Sequence, residues 1–288
     1  MTFDPDATAA FPVPSTQPLH VAGAMLSHPG LVRALNEDAV IYRLPNDSDP
    51  DSALGVLALV ADGMGGHAAG EVASEMAAQC LHYLFYRRPQ PVPAALAEGF
   101  AAANLAIHER SRTDPACAGM GTTCTAIVLR DNCAWLGHVG DSRAYLIRDN
   151  AIRQISEDHS LVAELVRQGT LTEAEAKEFP DRNVILRALG TQPTVEPSIS
   201  PAGLPIWPGD IFVLCSDGLS DLVDDETIRQ LASAQPPFEA CEALIQAALA
   251  VGGHDNVSAG VIRVAEAAPP AEDAARTTRR IDVTGGPP

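Results

Sequence analysis

Residues 125–155 read TAIVLRDNCAWLGHVGDSRAYLIRDNAIRQI. Four strand-like runs lie within it: Thr125 to Arg130, Ala134 to Val139, Arg143 to Arg148 and Ile152 to Ile155. Between them stand the turn signals Asp131-Asn132, Gly140-Asp141-Ser142 and Asp149-Asn150. Turns this short join only antiparallel neighbours. The stretch therefore predicts an antiparallel β-meander.

Upstream, Val21 to Leu26, Ala39 to Leu44 and Val56 to Ala61 also read as strands. Two helices are expected next, one with Val72, Met76, Cys80 and Leu84 on a single face, the other with Leu96, Phe100, Ala103 and Ile107. Spacings of three and four residues place each set on one helical stripe. Downstream, residues 160–180 predict two short helices, the first stopped by Gly169 and the second opened by a Thr172/Glu175 capping box. Ile211 to Cys215 reads as an apolar strand, Glu226 to Ala232 and Phe238 to Val251 as helices, and Val257 to Val264 as a closing strand. This order suggests sheets covered by helices rather than a doubly wound parallel fold. Residues 1–17 have no convincing period and read as a flexible arm; residues 266–288, rich in Ala, Pro, Thr and Gly, read as a flexible tail. No linker or repeat divides residues 18–265, so one domain is expected.

With 46% apolar residues in 288, the chain can bury a sizeable core, resting on Ala, Val, Leu and Ile because aromatics make up only 5%. A net charge of -18 argues against nucleic acid as a partner, since phosphate backbones attract Lys and Arg. None of the six cysteines forms a Cys-x-x-Cys pair or takes zinc-ligand spacing with His, so buried free thiols are expected. The N-terminus lacks a signal-peptide pattern, and no run approaches the ~20 apolar residues of a membrane helix. A cytoplasmic protein without a membrane partner is expected, working as a monomer.

The chemistry is carried by carboxylates at strand ends and turns: Asp38 after Asn36-Glu37, Asp62 in Asp62-Gly63-Met64-Gly65-Gly66-His67, Asp141, Asp217 after Ser216, and Asp255 before Asn256. Singly, Asp beside Gly is turn chemistry. Several of them, however, follow apolar strands whose ends should meet at one edge of the core. Gathered there they would repel one another and lose solvation. A hard divalent cation resolves that conflict; Mg2+ and Mn2+ favour oxygen ligands, and the missing Cys/His clusters argue against zinc.

The wording and order of the motifs carry a resemblance. Arg33-x-x-Asn36-Glu37-Asp38, Asp62-Gly63-Met64-Gly65-Gly66, Gly119-Met120-Gly121-Thr122-Thr123, Gly140-Asp141-Ser142-Arg143, Asp158-His159-Ser160, Arg187-Ala188-Leu189-Gly190, Ser216-Asp217-Gly218 and Gly253-His254-Asp255-Asn256 occur in sequence. From about Ala22 to Val264 the chain closely resembles the bacterial form of the PPM family, the metal-dependent type 2C Ser/Thr protein phosphatases. The resemblance implies an α+β fold, a β-sandwich of two antiparallel sheets flanked on each side by helices, with two Mn2+ or Mg2+ ions in a cleft at one end. It implies that Asp62 bridges the ions, that the Gly63 carbonyl binds the second, and that Asp217 and Asp255 complete the shell of the first. Glu37 and Asp38 would act mostly through metal-bound waters, Asp141 with Asp217 would hold a weaker third ion, and Arg33 would clamp the substrate phosphate. Residues 160–183 occupy the place of the family's flap; a solvated face is the expectation for their Glu and Lys.

One departure concerns the proton donor. Some members carry His after the Asp-Gly that matches Asp62-Gly63, but here Met64 follows. A thioether delivers no proton, and His67 and His159 read as structural support, so the resemblance assigns no general acid. The implied partners are phosphorylated proteins and a Ser/Thr kinase whose action the chain opposes. Two alternatives stand beside this: a partner-switching phosphatase acting on a phosphorylated anti-sigma-factor antagonist, and a catalytically inactive phosphoprotein-binding scaffold. Retention of every alignable carboxylate counts against the scaffold.

Overall fold

Alternation along the strands decides which way each face turns. In the strand Val56–Met64, Leu57, Leu59 and Ala61 pack on one side with helical residues, whereas Val56, Ala58 and Val60 pack on the other with the facing sheet. The strand Ile211–Cys215 repeats this: Ile211, Val213 and Cys215 face helices, while Phe212 and Leu214 face the same central layer. Side chains of a strand point alternately to opposite faces, and both faces here are apolar because both are covered. The computed structural model describes residues 19–46, 48–65 and 69–266, so the expected arm (1–17) and the expected tail beyond its first residue lie outside the described residues. Glu266 itself ends the last strand.

The described strands are β1 (Leu19–His28), β2 (Asp38–Arg43), β3 (Val56–Met64), β4 (Gly121–Thr122), β5 (Cys124–Arg130), β6 (Cys133–Val139), β7 (Arg143–Arg148), β8 (Ala151–Gln154), β9 (Ser198–Ile199), β10 (Leu204–Pro205), β11 (Ile211–Cys215) and β12 (Val257–Glu266). The helices are α1 (Ala69–Arg87), α2 (Val92–Thr113), α3 (Leu161–Arg167), α4 (Glu173–Lys177), α5 (Asp217–Ser220), α6 (Asp225–Ala234) and α7 (Pro237–Ala250). One sheet runs β1-β12-β11-β7-β8 and the other β10-β6-β5-β3-β2, with β4 on β3 and β9 on β6; every pairing is antiparallel. Helices α1 and α2 cover the second sheet, and α5, α6 and α7 cover the first. The result is a four-layered α-β-β-α sandwich, as the resemblance implied.

Two expectations need correction. The meander breaks at Gly140-Asp141-Ser142: β6 lies in one sheet and β7 in the other, so this turn crosses the sandwich instead of closing a hairpin. Gly140 adopts φ +111°, and a Cβ there would lie 2.5 Å from Thr123 Cβ, so the chain leaves β6 packed tightly against the start of β5 in the same sheet before it crosses. The other two turns are hairpins, with positive φ at Asp131, Asn132, Asp149 and Asn150. Two consecutive positive φ values match the strand twist, and Asn and Asp tolerate them. The second correction concerns α1. Its buried face is Ala73, Ala77, Leu81 and Phe85, one residue on from the expected stripe; Val72, Met76 and Cys80 are only partly buried at its margin. Small residues let α1 lie close to β3, and the larger side chains flank the contact. The stripe expected on α2 is fully buried.

Gly169 has φ +71° after α3, and the Thr172/Glu175 capping box opens α4, both as expected. Neither short helix contains a buried residue, which fits a solvated face for residues 160–183. The six cysteines are free, four of them buried. No helix among the described residues is long and apolar enough to cross a membrane. Because Ala77 is completely buried in the α1–β3 contact, Ala77→Leu should cost about 1–3 kcal/mol of stability through overpacking. Denaturant unfolding checks this, and a neutral result would contradict the corrected face.

Candidate functional site

Register brings the first two carboxylates together. In the β2–β3 pair, Asp38 stands directly opposite Asp62. Like charges in that relation are destabilising, so something must hold the strands there. Thr123 and Thr122 do so on one side: Asp62 N–H donates to Thr123 Oγ1 (3.0 Å), while Thr123 N–H (2.9 Å) and Thr122 Oγ1 (2.8 Å) donate to the Asp62 carbonyl. On the other side Ser216 Oγ (2.8 Å) and Ser258 Oγ (2.6 Å) donate to Asp38 Oδ2. Those serines belong to the opposite sheet's β11 exit and to β12, so the Asp38 carboxylate ties the two sheets together at this end.

Asp217 opens α5 one residue after β11, close enough to Asp62 for its charge to raise that carboxyl's pKa. Gly218 is required there because a Cβ would fall 2.0 Å from the Asn256 carbonyl oxygen. Asp255 stands two residues before β12, with Oδ1 accepting from Asn256 N–H (2.8 Å) and Oδ2 accepting from Arg33 Nη2 (2.8 Å). Asn256 in turn fastens the Arg33 loop. Its side chain donates to the carbonyls of Pro29 (3.0 Å) and Leu35 (2.8 Å) and accepts from Glu37 N–H (2.8 Å). Gly63 N–H donates to the Glu37 carbonyl (3.1 Å), and a Cβ on Gly63 would collide with Gly70 O at 2.1 Å. Backbone thus passes Asp62 closer than any other residue would allow.

The electrostatics are those of crowded anions in a partly enclosed cleft. Burial, then the charges of Asp217 and Asp255, push Asp38 up to about 7 despite its two serine donors. Burial, then Asp38, Asp217 and Asp141, hold Asp62 well above the usual carboxylate range. Asp141 is pushed up to about 7 by burial and next by Asp217, and Asp217 to about 6 by burial and next by Asp221. Burial also raises Glu37. Three oxygens of this group, Glu37 Oε1, Asp38 Oδ1 and Asp217 Oδ1, are buried without a hydrogen-bond partner. Among the described residues, however, the side chains do not close into a finished shell of three or more acidic, His or Cys donors. The hydroxyls on Asp38 and the guanidinium on Asp255 already occupy one oxygen of each.

The expected site residues Arg33, Glu37, Asp38, Asp62, Gly63, Asp141, Asp217 and Asp255 therefore meet at one end of the sandwich, each in contact with or electrically coupled to another of the set. Gly66 and His67 lie outside the described residues. His159 is buried, with Nδ1 accepting from Gly140 N–H (3.2 Å) and Nε2 against Ser198 Oγ (3.0 Å). Burial, then His138 and Arg187, lower it to about 4, so it is a neutral support.

Residues 34–250 match the family model described as protein phosphatase 2C. The chain belongs to that family. The chain is 43% identical over 244 residues to the serine/threonine protein phosphatase PstP of Mycobacterium tuberculosis, covering 84% of this chain and 45% of that protein; it thus spans about half that relative's length. It is 34% identical over 235 residues to the serine/threonine phosphatase stp of Listeria monocytogenes, covering 80% and 90%. The crystal structure of the catalytic domain of PstP in complex with two manganese ions superposes with a TM-score of 0.75 at 40% identity, covering 86% of this chain and all of that one.

The motifs assigned no role to Asn256 and did not include Ser258 or Asp221. Ser258 and Asn256 act on the carboxylates from β12 and the turn before it, and Asp221 charges the cleft from one helical turn beyond Asp217. Asp221 carried a usable signal, since i and i+4 share a helix face; Ser258 carried none, because only the packing of the two sheets brings it to Asp38.

A carboxyl whose folded pKa is raised takes up protons on folding, so stability falls as pH rises from its ordinary value of about 4 toward the folded one. Asp62→Asn removes one such group. In a metal chelator the variant should melt higher than wild type at pH 8, and the difference should vanish toward pH 4. Histidine contributions cancel in that difference. A variant that melts lower at pH 8 would make Asp62 an ordinary structural turn residue.

Proposed function

We propose that this chain hydrolyses phosphoserine and phosphothreonine in phosphorylated proteins with two divalent cations, Mn2+ or Mg2+, and so opposes a Ser/Thr kinase. The reading is carried by the buried, partnerless carboxylate oxygens of Glu37, Asp38 and Asp217 around Asp62. An anionic oxygen buried without a partner is costly unless it meets a cation. The donor set is all oxygen, which fits Mn2+ or Mg2+ and not zinc. Asp62 would bridge the ions with the Gly63 carbonyl beside it, and Asp217 and Asp255 would complete the set. Glu37 and Asp38 would act through water, and Asp141 with Asp217 would take a weaker third ion. Held there, divalent cations would supply Lewis acidity toward phosphoryl oxygens and lower the pKa of bound water.

The chain's own residues do the rest. Arg33 projects half exposed from a loop pinned at both ends, engaged with Asp255 through Nη2. Its planar fork suits a phosphate, and release from Asp255 would free both groups for their roles. Ser216 and Ser258 orient Asp38, and Thr122 and Thr123 hold the backbone of Asp62. The two-manganese relative supports the cation count. With every carboxylate present, the scaffold alternative has nothing on its side.

The test is phosphate release from a phosphothreonine peptide with and without Mn2+. Wild type should depend on the metal, and Asp62→Asn should lose roughly a hundredfold or more of the rate even in excess Mn2+. Near-normal turnover by that variant would overturn the assignment.

A further inference from the structure

The loop that presents Arg33 reads Gly30-Leu31-Val32-Arg33-Ala34-Leu35, apolar apart from the arginine. Leu31, Val32 and Leu35 are among the few large apolar side chains that the described residues leave exposed, at 64%, 68% and 47%; Val251 joins them at 60%. Scattered exposed leucines need no explanation, but grouping them at one place does. Here the grouping is local: Val251 lies two residues before Gly253, whose carbonyl accepts Leu31 N–H at 2.8 Å, and Gly253 is in turn two residues before Asp255.

The loop cannot bury these side chains by folding inward. Gly30, at φ +78°, lies so close to the Asp255 carbonyl that a Cβ would stand 2.1 Å from its oxygen. Asn256 Nδ2 grips the carbonyls of Pro29 and Leu35, which bracket the apolar run. Side chains held out on a fixed frame around a cation are arranged for something that covers them.

We propose that Leu31, Val32, Leu35 and Val251 form an apolar lip that selects substrate segments with apolar side chains next to the phosphoresidue. This rests on the phosphatase reading above. If Arg33 receives the phosphate, consecutive residues of an extended substrate advance by about 3.3 Å, which brings the flanking side chains over Val32 and Leu35. Charge sets acidic flanks apart: in a chain of net charge -18 beside a cluster of carboxylates they are repelled, which leaves the choice among uncharged flanks to the apolar lip.

The experiment compares kcat/KM of the Mn2+-loaded chain on three phosphothreonine peptides differing only at the positions flanking the phosphoresidue: Leu and Val, Gly and Ser, or Glu. Wild type should prefer the apolar-flanked peptide over the Gly/Ser peptide by about tenfold, chiefly through KM, with the Glu peptide slowest. In Val32→Ser/Leu35→Ser the preference should shrink to near unity. Hydrolysis of all three peptides at one rate by wild type, or a preference that survives in the variant, overturns the lip and leaves the phosphatase reading standing. Absence of Mn2+-dependent hydrolysis of every peptide and of p-nitrophenyl phosphate overturns both. The wild-type comparison decides the matter even if the variant fails to fold.

Discussion

Asp38 and Asp62 face each other across β2 and β3 at the end of a sheet where neither can reach bulk solvent freely. This repulsion is the constraint on which the rest of the site depends. It explains why the surrounding residues are hydroxyls, backbone amides and glycines rather than bulk: Thr122 and Thr123 hold the backbone, Ser216 and Ser258 stabilise one carboxylate oxygen, and Gly63 keeps the approach narrow. None of these neutralises the charge. They fix its position and leave other oxygens unmet, which is the condition a hard cation relieves.

The sandwich is what makes the gathering possible. β3 of one sheet delivers Asp62, β11 of the other delivers Asp217, and the turn before β12 delivers Asp255. Asp141 arrives on the turn by which the chain passes from β6 to β7, between sheets. Apolar packing on both faces of each sheet makes these ends rigid, so carboxylates far apart in sequence are held against their own repulsion by core burial elsewhere. Asn256 extends the same rigidity outward to the Arg33 loop.

Much of this was legible in the sequence because it is local. Alternating runs marked the strands, Asp131-Asn132 and Asp149-Asn150 marked the hairpins, and Thr172 with Glu175 marked a helix start. The carboxylates were legible as a set through their motifs. What failed was what depends on the third dimension. A three-residue turn says that two strands follow each other closely, not that they share a sheet, so the crossing at Gly140 was read as a hairpin. On α1, large apolar side chains drew attention away from the alanines that touch β3. Ser258 and its bond to Asp38 span 220 residues, a pairing that no local pattern contains.

Calorimetric titration of the chelated chain with Mn2+, repeated across pH in buffers of different ionisation heat, tests the central claim most directly. If crowded carboxylates with pKa values near 6 to 7 form the site, cation binding must displace protons. Proton release should be clear at pH 6 and should decline as pH rises beyond 7, while affinity climbs over the same range and then levels off. Binding without proton release and with pH-independent affinity, or no binding of Mn2+ or Mg2+ at all, would contradict the account.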